Sequence, residues 1–392
     1  MEEWKEYKLG EVVNILDYKR VPLSSKDRST RKGIYPYYGA QGIIDYIDDF
    51  IFDGTYLLIA EDGENLKSQK QDIAQLAKGK YWVNNHAHIV ESNGLCDIRY
   101  LCYMLNTMDI SGYITGSAQP KLNQANMSSI SIVLPSITIQ KRIADFLSCF
   151  DDKIEVNRRI NENLEQQAQA LFKSWFVNFE PFKDGEFVES QLGMIPKGWR
   201  VGTLGNICVT NKRSYKGNFT YDIEYIDTGS VTNNLIDSTQ ILKPATDKIP
   251  SRARRAVTEG DIIYSSVRPN QRHYALLFNP SSNTVVSTGF VVITAIWSGY
   301  RYYIYQYLIQ DEIVDKLQAI AEQSVSTFPS LNAADITNME IVIPPNDVVG
   351  NYAAICCSFR QQIEKNQQES RRLAAIRDTL LPRLMSGGMK FD

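Results

Sequence analysis

The chain has 392 residues, 43% of them hydrophobic and 22% charged, with a formal net charge of −3. Such a length exceeds one compact core and points to two or three domains. The near balance of charge excludes a global basic footprint, so any nucleic-acid contact must rest on local basic clusters. No run of about eighteen apolar residues is present to span a membrane.

The chain opens on Trp4-Lys-Glu-Tyr-Lys-Leu9-Gly10. Met1 to Lys5 has neither the basic start nor the apolar stretch of a signal peptide. The six cysteines form no CxxC pair, and a reducing, cytoplasmic compartment is expected. A basic segment follows, with Lys19, Arg20, Lys26, Arg28, Arg31 and Lys32 set against the single acid Asp27; tyrosines 35, 37 and 38 come directly after. The next charged group is acidic: Asp45, Asp48, Asp49, Asp53, Glu61, Asp62 and Glu64. It reads as decoration of turns and exposed strand faces, so no metal site is expected. Thr55 to Ala60 is an apolar run of strand length. Asn84-Asn85-His86, between apolar flanks, is either a turn or a base-reading loop. Arg99-Tyr100-Leu101 opens a helix, and Ile130 to Leu134 reads as a strand ended by Pro135.

A long helix is expected from Ser136 to Val177, and a second from Asn346 to Met385. Alternate steps of four and three through the first give Ile143, Leu147, Phe150, Ile154, Asn157, Asn161, Leu164, Ala168, Leu171 and Trp175. The same steps through the second give Tyr352, Cys356, Phe359, Ile363, Asn366, Ser370, Leu373, Arg377, Leu380 and Leu384. This 3.5-residue seam is the mark of a coiled coil. Ile143, Leu147, Phe150, Ile154, Leu164, Leu171, Phe359, Ile363, Leu373 and Leu380 are the expected pairing residues. Both seams break into polar residues at matched places, Asn157 with Asn161 and Asn366 with Ser370. Polar seam residues cost stability but select register.

Between the helices, 181–198 carries prolines and glycines without a period and reads as a linker. The opening motif then recurs as Trp199 to Leu204-Gly205. Pro120-Lys-Leu122-Asn123 recurs as Pro329-Ser-Leu331-Asn332, and Ile132-Val-Leu134-Pro135 as Ile341-Val-Ile343-Pro344. Asp261 to Ser265, Gly289 to Thr294 and Glu340 to Ile343 read as strands. The frames match while the middles diverge. The expected order is a mixed α/β domain over 1–135, a spacer helix over 136–180, a linker over 181–198, a second domain over 199–344 and a second helix over 345–386. The fold class is α+β: two such domains joined by two helices in an antiparallel coiled coil, an internal repeat with a pseudo-two-fold axis.

Catalytic signals are scarce. There is no GxxxxGK[ST] phosphate loop, no amino-methyltransferase Asn-Pro-Pro-Tyr context and no Pro-Asp start of a nuclease carboxylate set. Only His86, His88 and His273 are available for triad chemistry, and no catalytic residue is assigned. Basic residues recur in the second half: Arg252, Arg254 and Arg255 upstream of a strand, then Arg268, Asn270, Gln271, Arg272 and His273 after it. Arginine bonds guanine bidentately, asparagine and glutamine bond adenine, and neighbouring cations bond phosphate. These residues, with Lys19, Arg20, Lys26, Arg28, Arg31, Lys32 and Asn85, are the candidate DNA contacts; either cluster alone is equally a solvated basic loop.

The order of motifs resembles the specificity subunit of type I restriction-modification systems, over nearly the whole chain. The motifs are Trp4 to Gly10, Tyr35-Pro-Tyr-Tyr-Gly39-Ala-Gln-Gly42, Gly193-Met-Ile-Pro-Lys-Gly-Trp199 through Gly205, Gly260-Asp-Ile-Ile-Tyr-Ser-Ser-Val-Arg268, the Leu-Pro and Ile-Pro-Pro openings and the two long helices. The resemblance implies two target-recognition domains, each reading half of a split site in double-stranded DNA, with the helices setting the gap. It also implies methyltransferase (modification) subunits that bind S-adenosylmethionine, and translocase/endonuclease (restriction) subunits that use ATP and Mg²⁺. No cofactor is expected on this chain. The alternative is an enzyme, a nuclease or methyltransferase on the same scaffold.

Overall fold

The computed structural model describes residues 4–68, 71–116, 119–215, 219–323 and 329–388. The chain divides into two compact units, residues 1–156 with 369–392 and residues 157–368. Each unit therefore holds one globular domain and a segment of each long helix.

The strands of the first unit are β1 (Lys5–Lys8), β2 (Val13–Ile15), β3 (Lys32–Gly39), β4 (Gly42–Ile47), β5 (Phe52–Ala60), β6 (Ala74–Val83), β7 (Ala87–Ser92) and β8 (Ser131–Leu134). Six of them form a sheet in the order β2-β7-β5-β6-β3-β4, and β1 pairs with β8 antiparallel. All of Leu57 to Ala60 is buried because both faces of β5 are covered. Leu57 and Ile59 face the helix Ile98–Thr107 through Tyr100, Leu101 and Met104. Leu58 faces the other way, among Phe52, Tyr81 and Ile89. The Ile98–Thr107 helix starts where Asp97 accepts the amides of Arg99 and Tyr100.

The second unit holds β9 (Phe187–Ser190), β10 (Gly193–Pro196), β11 (Arg200–Thr203), β12 (Cys208–Thr210), β13 (Ile223–Ile226), β14 (Val231–Thr232), β15 (Leu235–Ile236), β16 (Gln240–Leu242), β17 (Ala253–Ala256), β18 (Ile262–Ser265), β19 (Tyr274–Leu276), β20 (Thr284–Ser287), β21 (Phe290–Ala295) and β22 (Glu340–Ile343). The segment expected as a linker contains the β9–β10 hairpin. Beyond it the first unit's topology returns. β11 pairs with β22 as β1 does with β8, and β12-β21-β18-β19 follows the order β2-β7-β5-β6. The parallel pair β13–β20 stands where β3 runs parallel to β6. The edge strand β17 pairs antiparallel with β20 as the start of β5 pairs with the end of β6, so β17 and β18 together stand where β5 runs unbroken.

The long helices run Ile137–Phe172, continued by a π-helical turn Lys173–Val177, and Asn346–Met385. In the first unit Ile143 and Leu147 are buried with Leu381 and Leu384, and Leu380 packs on that cluster. Phe150, Ile154 and Leu373 are half-buried. Arg377 is ion-paired with Asp151, and Lys153 with Glu369. In the second unit Ile363 is buried, Leu164 is half-buried, and Leu171 and Phe359 pack on its core. There the Tyr352 hydroxyl donates to the Ala168 carbonyl at 3.2 Å. Within each unit, rising numbers on one helix meet falling numbers on the other, so the segments pair antiparallel.

Of the polar break, Asn157 and Asn366 are buried, and Asn161 and Ser370 are half-buried. Asn157 is 0% exposed and its Nδ2 donates to the Asn366 carbonyl at 3.3 Å. Asn366 Nδ2 in turn donates to Asn161 Oδ1 at 2.8 Å. A slip of one residue would leave these amides buried without partners, so they select register. No helix among the described residues is long and apolar enough to cross a membrane.

Candidate nucleic-acid interface

The first basic segment is not the open loop that its composition suggests. Residues Ser25–Thr30 form a short helix, capped by Ser24 and Asp27 in a reciprocal capping box. The acids downstream then partner its cations. Arg28 Nε lies 3.2 Å from Asp45, Arg28 Nη1 donates to the Leu23 carbonyl at 2.7 Å, and its guanidinium stands 5.1 Å over the Tyr37 ring. Lys32 reaches Asp45 at 2.7 Å, and its hydrogen bond holds that carboxyl below the usual aspartate value. Arg31 pairs with Asp48 at 2.9 Å and covers the Trp82 ring. Lys19 and Lys26 are exposed. Composition missed this pairing because β3 and β4 are adjacent, which brings residues 13 to 17 apart in sequence into contact. It also missed the exposed apolar side chains Ile34, Ile44 and Tyr46 on the same two strands.

Arg20 belongs to the interior. Its Nη1 donates to Glu61 at 2.7 Å and to the Ala87 carbonyl at 3.0 Å, and its Nη2 lies 3.3 Å from Asp17. His88, 2% exposed at its side chain, completes the cluster. Its Nδ1 is 2.5 Å from Asp17, and its Nε2 donates to the Leu122 carbonyl at 2.8 Å, since a carbonyl can only accept. Burial alone would raise the Asp17 carboxyl. The hydrogen bond with His88 and that from the Ile89 amide, with Arg20 nearby, hold it below the usual value. Glu61 is likewise pushed up by burial but held down overall, by Arg20, His88 and Lys121. Asn84-Asn85-His86 is a turn between β6 and β7: Asn84 Oδ1 accepts the His86 amide, and the Asn85 side chain is exposed.

In the second unit, Arg252, Arg254 and Arg255 lie upstream of β18 as expected; Arg254 and Arg255 are themselves within the edge strand β17, and Arg252 is exposed just before it. The Gly260-Asp261 motif is structural. Asp261 is 1% exposed and receives Arg213 at 2.5 Å, Thr294 at 2.6 Å and the Thr258 amide at 2.8 Å. Past β18 the chain makes a single 3-10 turn, Pro269–Gln271, flanked by Arg268 and Arg272, both in left-handed conformation. Arg268, Asn270 and Gln271 are exposed; Arg272 donates to Asp311 at 2.6 Å, which raises its pKa. Among the described residues no group of three or more His, Cys, Asp or Glu could hold a metal ion.

The sequence matches the family described as the type I restriction modification DNA specificity domain over residues 1–166 and again over residues 196–373. The chain belongs to this family. The two matched stretches coincide with the two copies of the sheet topology. Among relatives, the type I restriction enzyme MjaIX specificity subunit of Methanocaldococcus jannaschii is 30% identical, covering 78% of this chain and 72% of its own. The HindI specificity subunit of Haemophilus influenzae is 22% identical over 99% of this chain and all of its own. A crystal structure of the type I restriction-modification S subunit from M. genitalium has the same fold, with a TM-score of 0.56 at 15% identity, covering 98% of this chain and 96% of that one. The specificity-subunit family thus accounts for the duplicated domains and their helices, and its description is one of DNA specificity, not of catalysis.

Proposed function

We propose that this chain is the DNA-recognition subunit of a cytoplasmic type I restriction-modification complex. Each recognition domain reads one half of a bipartite double-stranded target, and the paired helices set the gap between the halves. Modification subunits that carry S-adenosylmethionine dock on this scaffold and methylate adenine; restriction subunits that use ATP and Mg²⁺ join them. The chain itself contributes grip on phosphates and readout of base edges. The observation that supports this reading best is the duplication. One topology occurs twice, on a helix pair whose register is pinned by Asn157 and Asn366. A protein reading one contiguous site has no need of two domains with matched frames and divergent middles.

The test is to purify the chain with its modification subunits and map methylated adenines across a genome. Two fixed half-sites at one fixed spacing are expected. Methylation or cleavage of DNA by the chain alone, given methyl donor or Mg²⁺, would make it an enzyme instead.

A further inference from the structure

The two recognition domains use the same bonds to seat the connection that follows their central strand. In the first, the Leu122 amide donates to the Glu61 carbonyl at 2.8 Å, and the Gly63 amide to the Pro120 carbonyl at 3.4 Å. In the second, the Leu331 amide donates to the Ser266 carbonyl at 2.7 Å, and the Arg268 amide to the Pro329 carbonyl at 3.2 Å. The bridges Asp62–Lys121 and Val267–Ser330 lie between them. Arg268 therefore occupies the position that Gly63 occupies in the other domain. Both have positive φ, +127° at Gly63 and +50° at Arg268. Both positions lie at positive φ, which glycine adopts freely and a residue with a Cβ adopts at a cost, although Gly63 and Arg268 (ψ 67°) settle in different parts of that region. Glycine fits the first domain closely: a Cβ there would come within 2.6 Å of Asn65 Oδ1. In the second domain the chain keeps an arginine at the strained position, with its side chain exposed.

The rest of the turn is held firmly. Pro269 is buried, the Asn270 amide donates to Gln318, and the Gln271 and Arg272 amides close back on Arg268 and Pro269. The Arg272 carbonyl accepts the Asn233 amide at 3.0 Å, while its guanidinium is engaged by Asp311. What this rigid turn presents to solvent is Arg268, Asn270 and Gln271. Arginine suits the O6 and N7 of guanine, and the two amides suit the N6 and N7 of adenine. A left-handed arginine kept on a fixed, exposed turn, beside two exposed amides, is the arrangement of a reading turn. We infer that Arg268, Asn270 and Gln271 are the base-reading residues of the second recognition domain, taking a major-groove stretch that contains guanine and adenine. This rests on the function proposed above.

The experiment uses the complex of the chain with its modification subunits and a library of randomised half-sites. Arg268→Gly removes the side chain and relieves the backbone, so it should melt no lower than the parent. It should lose discrimination at one base position of one half-site by roughly 5- to 150-fold, with the other half-site and the salt dependence unchanged. The double variant Asn270→Ala with Gln271→Ala should relax neighbouring positions of that same half-site. The inference is overturned if Arg268→Gly preserves every base preference, if it weakens all sequences alike with a shallower salt slope, as a phosphate contact would, or if it melts well below the parent. A parent complex with no two-part preference at all would sink the proposed function, and this inference with it.

Discussion

At the scale of single residues, the cations of the first domain divide into those used by the fold and those left to the surface. Arg20 pairs with both Asp17 and Glu61, and His88 lies in hydrogen-bond contact with Asp17. Asp17 and Glu61 both have folded pKa values below their ordinary ones. A depressed carboxylate contributes stability that is fully present above its unfolded value and is lost as pH falls through the folded value. The chain should therefore lose stability progressively below about pH 4, where unfolded carboxylates begin to take up protons. Asp17→Asn should cost about 3 kcal/mol at neutral pH, because His88 and Arg20 each lose a partner, and should flatten the acid limb. Melts from pH 7 to pH 3 read both effects; an unchanged acid limb would remove Asp17 from the account. The surface cations behave differently. Lys19→Ala and Lys26→Ala should leave the melting temperature alone and lower the salt slope of DNA binding by about one unit each. Arg28→Ala should instead cost about 1–2 kcal/mol of stability, since it breaks the contacts with Asp45, Leu23 and Tyr37. Equal stability losses for all three would show that the ion pairs of the segment are not structural.

At the scale of the element, a pair of long helices with an apolar seam has many near-equivalent registers. Buried Asn157 and Asn366 remove that degeneracy, because the observed alignment lets both side-chain amides donate across the helix pair. Replacing both by leucine should raise thermal stability while broadening the range of spacer lengths the complex methylates. The check is a melt beside a methylation assay over a spacer-length library. A spacer preference as sharp as the parent's would show that the asparagines do not set register.

For the whole molecule, the proposed ruler can be lengthened. One heptad inserted into each helix preserves the seam and adds roughly 10 Å. At 3.4 Å per base pair that is about three more pairs between half-sites. Three pairs also rotate one half-site by roughly 100° about the duplex. The double-insertion protein should therefore prefer a longer spacer but bind it more weakly than the parent binds its own, as twisting the DNA costs a few kcal/mol at most. A heptad in one helix alone should weaken binding at every spacer. An unaltered preferred spacer in the double insertion would assign the separation to the partner subunits.

The sequence by itself determined the duplication, the two helices and the polar break in their seams. Those are periodic features: Ile143, Leu147 and Ile363 are buried because a 3.5-residue repeat puts them on one stripe, whatever the tertiary detail. The strand Leu57 to Ala60 was legible for a similar reason, as a short apolar run buried on both faces. The charge pattern was not legible in this way. Lys19 to Lys32 looks like one basic patch, but the alignment of β3 with β4 decides that Arg28, Arg31 and Lys32 meet Asp45 and Asp48. Pairing of that kind depends on which strands become neighbours, and composition carries no such information. The backbone of Arg268 was hidden likewise. A positive φ is visible in sequence only when glycine marks it, as at Gly63. Only the tertiary bonds to Pro120 and Pro329 reveal that the arginine sits in the glycine's place.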